Sequence, residues 1–183
     1  MPKFIGWVPT QPEYIKAFFD LAPVSSTDTV YDLGSGDGRL LFAALEQGAG
    51  RCVGVDIDPD RVNVAREAAQ SKGFNGKVSF IEADVMKVDL SDASVITCYL
   101  FPTASAALRP KFEKELKVGT RIVMESFPVP GWKPQKTSEV NMRNFFLYTM
   151  PPEHTSDYDS INTEAVEAYD EYFDIYSGKN EGY

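Results

Sequence analysis

Two cysteines and one histidine are all that the 183 residues offer as thiol or imidazole groups. Cys52 and Cys98 each lie inside an apolar run that reads as a strand, which fits buried, reduced thiols and argues against a disulfide or a metal pair. With His154 alone, neither a His-based metal site nor a Ser-His-Asp triad has its parts. Long apolar runs are missing too, since none approaches the ~20 residues needed to span a bilayer. The opening Met1-Pro2-Lys3-Phe4-Ile5-Gly6-Trp7 is too short in consecutive apolar residues for a secretory leader. The expectation is a soluble, cytoplasmic protein with no membrane partner. Basic patches are equally scarce. Residues 1–151 hold 17 Lys+Arg against 18 Asp+Glu, and residues 152–183 hold one Lys against nine acids, so the formal charge of −9 sits almost wholly at the C-terminal end. No basic stripe for a phosphate backbone is left, and nucleic acid is not an expected partner.

What is present is enough apolar material, 43% of residues with 13% aromatic, to close one core but not two. Short β-rich runs alternate with helical patterns, the sign of βαβ units. Strands are expected near Thr29–Leu33, Arg51–Asp56, Val78–Glu82, Ser94–Tyr99 and Thr120–Ser126, and a last, antiparallel one near Asn144–Met150. The predicted fold is α/β: a Rossmann-like, doubly wound, mostly parallel sheet with an antiparallel final strand. Thr10-Gln11-Pro12-Glu13 has the form of a capping box opening a helix to about Leu21, and Asp58-Pro59 that of an N-cap with proline at the first helical position. The body is drawn as 1–151 and an acidic extension as 152–183. In that extension Val166, Tyr169, Phe173 and Tyr176 recur at helical spacing opposite Glu164, Glu167, Asp170, Glu171 and Asp174.

The strongest motif is Val30-Tyr31-Asp32-Leu33-Gly34-Ser35-Gly36-Asp37-Gly38-Arg39, a strand running into a glycine-rich turn that opens a helix. Alternate glycines let backbone pass beneath a ligand where a Cβ would collide. A dinucleotide site would want its third glycine at position 39, which is Arg. Asp32 is a poor neighbour for a pyrophosphate and a good one for a cationic amine, such as the methionine end of S-adenosylmethionine. Asp56 ends the second strand 24 residues after Asp32, where a carboxylate can accept both hydroxyls of a ribose, with Ile57 against the adenine face. Asp58 is the expected helix cap, leaving Asp56 for the ligand. In Glu82-Ala83-Asp84-Val85, Asp84 can accept an adenine amine while the Val85 N–H meets a ring nitrogen.

These turns together resemble the successive cofactor motifs of class I methyltransferases, over about residues 29–126. A narrower likeness runs through Val8-Pro9-Thr10, Leu108-Arg109-Pro110-Lys111, Glu113-Lys114-Glu115-Leu116-Lys117, Gly119-Thr120-Arg121 and Gly131-Trp132. It is similar to the small archaeal protein-lysine methyltransferases of broad range and their eukaryotic relatives acting on mitochondrial carrier and ATP synthase subunits. The resemblance implies S-adenosylmethionine as cofactor, bound by Asp32, Gly34, Ser35, Gly36, Asp56, Ile57, Asp84 and Val85. It also implies that Thr10 lies over the methionine end of the cofactor, and that protein substrates present lysine.

On the acceptor side, enzymes that methylate adenine or glutamine amides commonly carry Asn/Asp-Pro-Pro-aromatic after the fourth strand. Here Tyr99-Leu100-Phe101-Pro102 stands instead, an aromatic lining suited to an alkylammonium. Tyr99 is the candidate wall of the amine pocket. Glu125, at the end of the fifth strand, is the candidate acceptor for the ammonium, unless it is only an exposed carboxylate. Two other readings stay open: a small-molecule N- or O-methyltransferase, and a protein that binds S-adenosylmethionine without turnover.

Overall fold

A computed structural model of the chain describes residues 9–158. Val8 and the acidic helical pattern from Glu164 to Tyr176 lie outside the described residues. The elements follow as α1 Pro12–Leu21, β1 Thr29–Leu33, α2 Arg39–Glu46, β2 Arg51–Asp56, α3 Pro59–Ser71, β3 Val78–Glu82, β4 Val95–Cys98, α4 Pro102–Glu115, β5 Arg121–Glu125, β6 Trp132–Lys133, β7 Lys136–Val140, β8 Arg143–Thr149 and β9 Glu153–His154. A 3-10 turn, Val85–Lys87, follows β3.

Seven strands form one sheet in the order β3-β2-β1-β4-β5-β8-β7. β1 to β5 are parallel, while β8 runs antiparallel to β5 and β7 antiparallel to β8. The strand order reverses direction at β1, between β2 and β4, and ligands of such sheets bind outside the strand C-termini at that switch point. β1, β2, β4 and β5 are near-continuous apolar runs because helices cover both their faces. Val30, Cys52, Phe80, Val95 and Val123 pack under α1, α2 and α3. The alternate residues Tyr31, Val53, Ile96 and Ile122 pack with Leu108 and Phe112 of α4. This two-period alternation decides which strand-end side chains share a face with Asp32: Asp56 and Glu125 do, at the rim beneath the first three helices.

Two helix starts differ in how they are capped. Asp58 caps α3 as expected, its carboxylate accepting from the Asp60 N–H at 2.9 Å. Thr10 does not cap α1. The N-cap is Gln11, with no side-chain cap bond, and its Nε2 donates to the Pro9 carbonyl at 3.3 Å. Pro12 explains the shift, because its fixed φ and missing N–H belong at the first helical position, which moves Glu13 out of capping-box register.

β7 was not expected from Lys136-Thr137-Ser138-Glu139-Val140, a polar run that becomes an exposed edge strand. Beyond residue 151, β9 pairs with β6, and the Tyr158 hydroxyl donates to Glu113 at 2.8 Å. The same Glu113 oxygen receives the Trp132 Nε1–H at 2.9 Å, so a stretch drawn as extension is tied to α4.

Candidate active site

The glycine turn is folded by its own backbone. The Gly34 and Ser35 N–H groups both donate to the Val55 carbonyl, at 2.8 and 3.0 Å, and the Gly38 N–H closes on the Ser35 carbonyl at 2.9 Å. Gly34, Gly36 and Gly38 all have positive φ, at 86, 53 and 80°. A Cβ on Gly34 would come within 2.8 Å of Leu100, and one on Gly38 within 2.5 Å of Phe80, so neither position tolerates a side chain. Ser35 turns inward, with its Oγ 2.6 Å from where a Cβ on Gly54 would stand. That hydroxyl is buried without a hydrogen-bond partner among the described residues. Arg39 grips Asp37 through Nε and Nη2, at 2.9 and 2.5 Å, and its Nη1 reaches the Thr10 carbonyl at 3.3 Å. The residue standing where a dinucleotide motif has glycine thus ties the segment before α1 to the turn through the Thr10 carbonyl.

Three carboxylates stand at or just after the C-terminal ends of β1, β2 and β3. Asp56 is 4% exposed. One of its oxygens accepts from Gly36 N–H at 2.8 Å, the other from Asp58 N–H at 3.0 Å, and Arg61 stands 3.7 Å away. A carboxylate has about four acceptor directions, so two remain for ligand hydroxyls. Ile57, half-buried, follows at the strand end. Asp32, 7% exposed, accepts from the Thr97 hydroxyl at 2.9 Å. Burial pushes its carboxyl up to about 7; the Thr97 bond opposes this, while the charges of Asp56, Glu125 and Asp37 add to it. A cation placed beside Asp32 would relieve that repulsion. Asp84 spends one oxygen capping the 3-10 turn, at 2.9 Å from Met86 N–H, which leaves the Val85 N–H at the head of the turn, without an intrahelical partner.

The fourth carboxylate corrects one alternative, because Glu125 is no exposed side chain: it is 1% exposed. Its Oε1 accepts from Arg143 Nη1 at 2.6 Å, and its Oε2 is buried without a partner among the described residues. Burial raises its pKa, and the Arg143 charge and hydrogen bond oppose that. The Arg143 guanidinium lies 4.5 Å from the Tyr14 ring centroid and 5.3 Å from that of Tyr99. Tyr99 and Glu125 are therefore brought together, through two residues that the sequence reading did not single out. Tyr14 reads as part of an apolar stripe with Phe18. Arg143 carries no motif, and only the pairing of β8 with β5 places it beside Glu125.

A glycine turn under the switch point, with acidic groups ending successive parallel strands, defines a class I methyltransferase that uses S-adenosylmethionine. Residues 32–136, more than half of the chain, match the family model described as the ANTKMT methyltransferase domain, and the chain belongs to that family. Among its relatives is the protein-lysine N-methyltransferase of Saccharolobus islandicus, 37% identical over 80% of this chain and 94% of that protein. The mouse adenine nucleotide translocase lysine N-methyltransferase is 38% identical over 56% of this chain, but the match spans only 45% of its length. A crystal structure from Salinibacter ruber, described as an RNA methyltransferase in complex with S-adenosyl-L-homocysteine, superposes with a TM-score of 0.78 at 38% identity. That alignment covers 83% of this chain and 99% of the other. Among the described residues no group of His, Cys, Asp and Glu could hold a metal, and no helix is long and apolar enough to cross a membrane.

Proposed function

We propose that this enzyme methylates lysine side-chain amines of proteins. The observation that carries the reading is the acceptor wall: a buried carboxylate on the same side of the sheet as Asp32, one oxygen unpartnered among the described residues and the other held by an arginine that lies over the Tyr14 and Tyr99 rings. Such a lining excludes water from an alkyl stem and receives a cation at its tip. The relative from Saccharolobus islandicus bears the corresponding name.

When bound, S-adenosylmethionine supplies a methyl group made electrophilic by its sulfonium. The residues present fit it. In this reading Asp56 takes the ribose hydroxyls, Ile57 lies against the adenine, and Asp84 and the Val85 N–H meet its edge. Asp32 takes the methionine amine. Gly34 and Gly36 let the turn run beneath the cofactor, Ser35 contributes backbone, and Thr10 covers the methionine end. Glu125 receives the lysine ammonium and Tyr99 walls its stem. Losing a proton from a lysine of pKa ~10.4 at pH 7 costs about 4.6 kcal/mol. Desolvation against the Tyr99 wall lowers that pKa, and holding the amine in line with the methyl can supply roughly 7–11 kcal/mol. The amine lone pair then forms the N–C bond as the C–S bond breaks, and the surplus proton leaves to solvent.

The test is label transfer from S-adenosylmethionine into a cell lysate divided into protein, RNA and small-molecule fractions. Label should collect on lysines of proteins. Label in RNA would favour the activity named for the Salinibacter ruber structure, and label only in small molecules would overturn the protein reading.

A further inference from the structure

We propose that Arg143 is the positioning residue of the acceptor site, engaging one oxygen of Glu125 so that the other is presented to the incoming amine. The inference rests on the reading that Glu125 receives that amine.

The backbone prepares this arrangement. β7 and β8 are joined by the two-residue loop Asn141-Met142, both with positive φ, at 47 and 63°, as hairpins of matched twist require. The loop fixes where β8 begins. Phe145 then pairs with Glu125, so Arg143, two residues earlier and on the same face, overhangs the end of β5 at the crevice. Phe145 is anchored edge-on against Phe18 of α1 at 5.3 Å. The guanidinium is held on three sides, by the Glu125 oxygen and by the Tyr14 and Tyr99 rings. An arginine suits this place because its planar fork can stack on rings and donate in the same plane, which an ammonium cannot do.

The pair leaves an uncommon remainder. A buried carboxylate oxygen normally finds a donor, and Oε2 of Glu125 has none among the described residues. Arg143 occupies Oε1 alone instead of forming a two-pronged pair, and an amine donor is the group that would complete the set. The arrangement also bears on ionisation. Arg143 from β8 contacts Glu125, Asp32 from β1 interacts with it electrostatically, and Tyr99 after β4 and Tyr14 from α1 face the Arg143 guanidinium; of these groups Arg143 is the only cation. Burial favours a neutral Glu125, which could not attract an ammonium, and Arg143 counters it.

The experiment uses the full chain with S-adenosylmethionine and poly-L-lysine, following kcat and KM against pH. A 13C titration of the Glu125 carboxyl and calorimetry with S-adenosylhomocysteine accompany it. Arg143→Met keeps an apolar body against the tyrosines and removes the charge. The Glu125 titration and the acidic limb of kcat/KM should both move up by roughly 1–3 pH units, the usual effect of losing an opposite charge at this range. KM should rise on the order of tenfold, with S-adenosylhomocysteine affinity unchanged. Arg143→Lys should restore the acidic limb but not KM. A lower melting temperature with an unmoved acidic limb and KM in Arg143→Met would reduce Arg143 to a structural brace and overturn the proposal. Glu125→Gln separates the two layers: an unaltered KM there sinks the acceptor reading itself. A raised KM there, with Arg143→Met silent, sinks only the role of Arg143.

Discussion

At the scale of single residues the site is governed by how its carboxylates are held. Asp56 is fixed by two backbone N–H groups, so its carboxylate is held in one orientation before any ligand arrives. Asp56→Ala should weaken S-adenosylhomocysteine binding by roughly 1.5–3 kcal/mol, the worth of hydrogen bonds to a charged acceptor, in a protein that still folds. Calorimetry checks this, and unchanged affinity would mean that another carboxylate holds the ribose. Asp32 makes a different forecast, because its carboxyl sits near pH 7 in the ligand-free fold. With the folded pKa raised above the unfolded one, the native state keeps a proton that the unfolded chain gives up. Its contribution is fully present below about pH 4 and is lost as pH rises through about 7. Asp32→Asn preserves the acceptor for Thr97 and removes the charge. It should therefore stabilise the ligand-free protein at pH 8 by on the order of 2–4 kcal/mol while impairing cofactor binding. The wild-type protein should also release a proton on binding the cationic amine near pH 6.5. Calorimetry in buffers of unlike ionisation enthalpy reads that release, and identical heats would refute it.

At the scale of elements, the β7–β8 hairpin shows what a stable turn is made to carry. Met142 holds a left-handed conformation, costly for a side chain with a Cβ, and is 90% exposed, so it gains nothing from packing. Met142→Gly should raise stability by on the order of 0.5 kcal/mol, seen as a melting temperature higher by about 1–2 °C. A fall would show that the side chain makes contacts of its own. The sheet's other end is pinned by Asp28, which accepts from Ser25, Ser94 and Arg121, the last at 2.6 Å. The same hairpin marks where sequence ceases to be legible. β1, β2, β4 and β5 announce themselves because burial on both faces demands unbroken apolar runs, and the glycine turn because a Cβ would strike Leu100 or Phe80. β7 escapes because an edge strand needs only one covered side and is safer polar. Arg143 escapes with it, since its nearness to Glu125 is a product of register between strands and of no local pattern. Thr10 shows the converse error: a good capping string is overruled by Pro12, and the Thr10 carbonyl is held by Arg39 instead.

At the scale of the whole molecule the charge is the feature left to use. Eight of the nine net negative charges follow residue 151, while the body is nearly neutral. The described chain reaches Tyr158, stacked on His154 at 3.6 Å and lying 4.8 Å beneath the Arg109 guanidinium of α4. Steering by the net negative charge of residues 152–183 would favour encounters with lysine-rich proteins at low ionic strength. Neutralising Glu164, Glu167, Asp170, Glu171 and Asp174 together should raise KM for basic protein acceptors several-fold at low salt. The difference should shrink as the Debye length falls below ~8 Å above physiological ionic strength. kcat should not change, because the chemistry lies at the sheet's crevice. Deleting residues 160–183 should reproduce the KM effect, and any accompanying fall in melting temperature would be a separate, salt-independent contribution to the fold. A KM that is indifferent to both changes at every salt concentration would show that the acidic segment does not steer substrates.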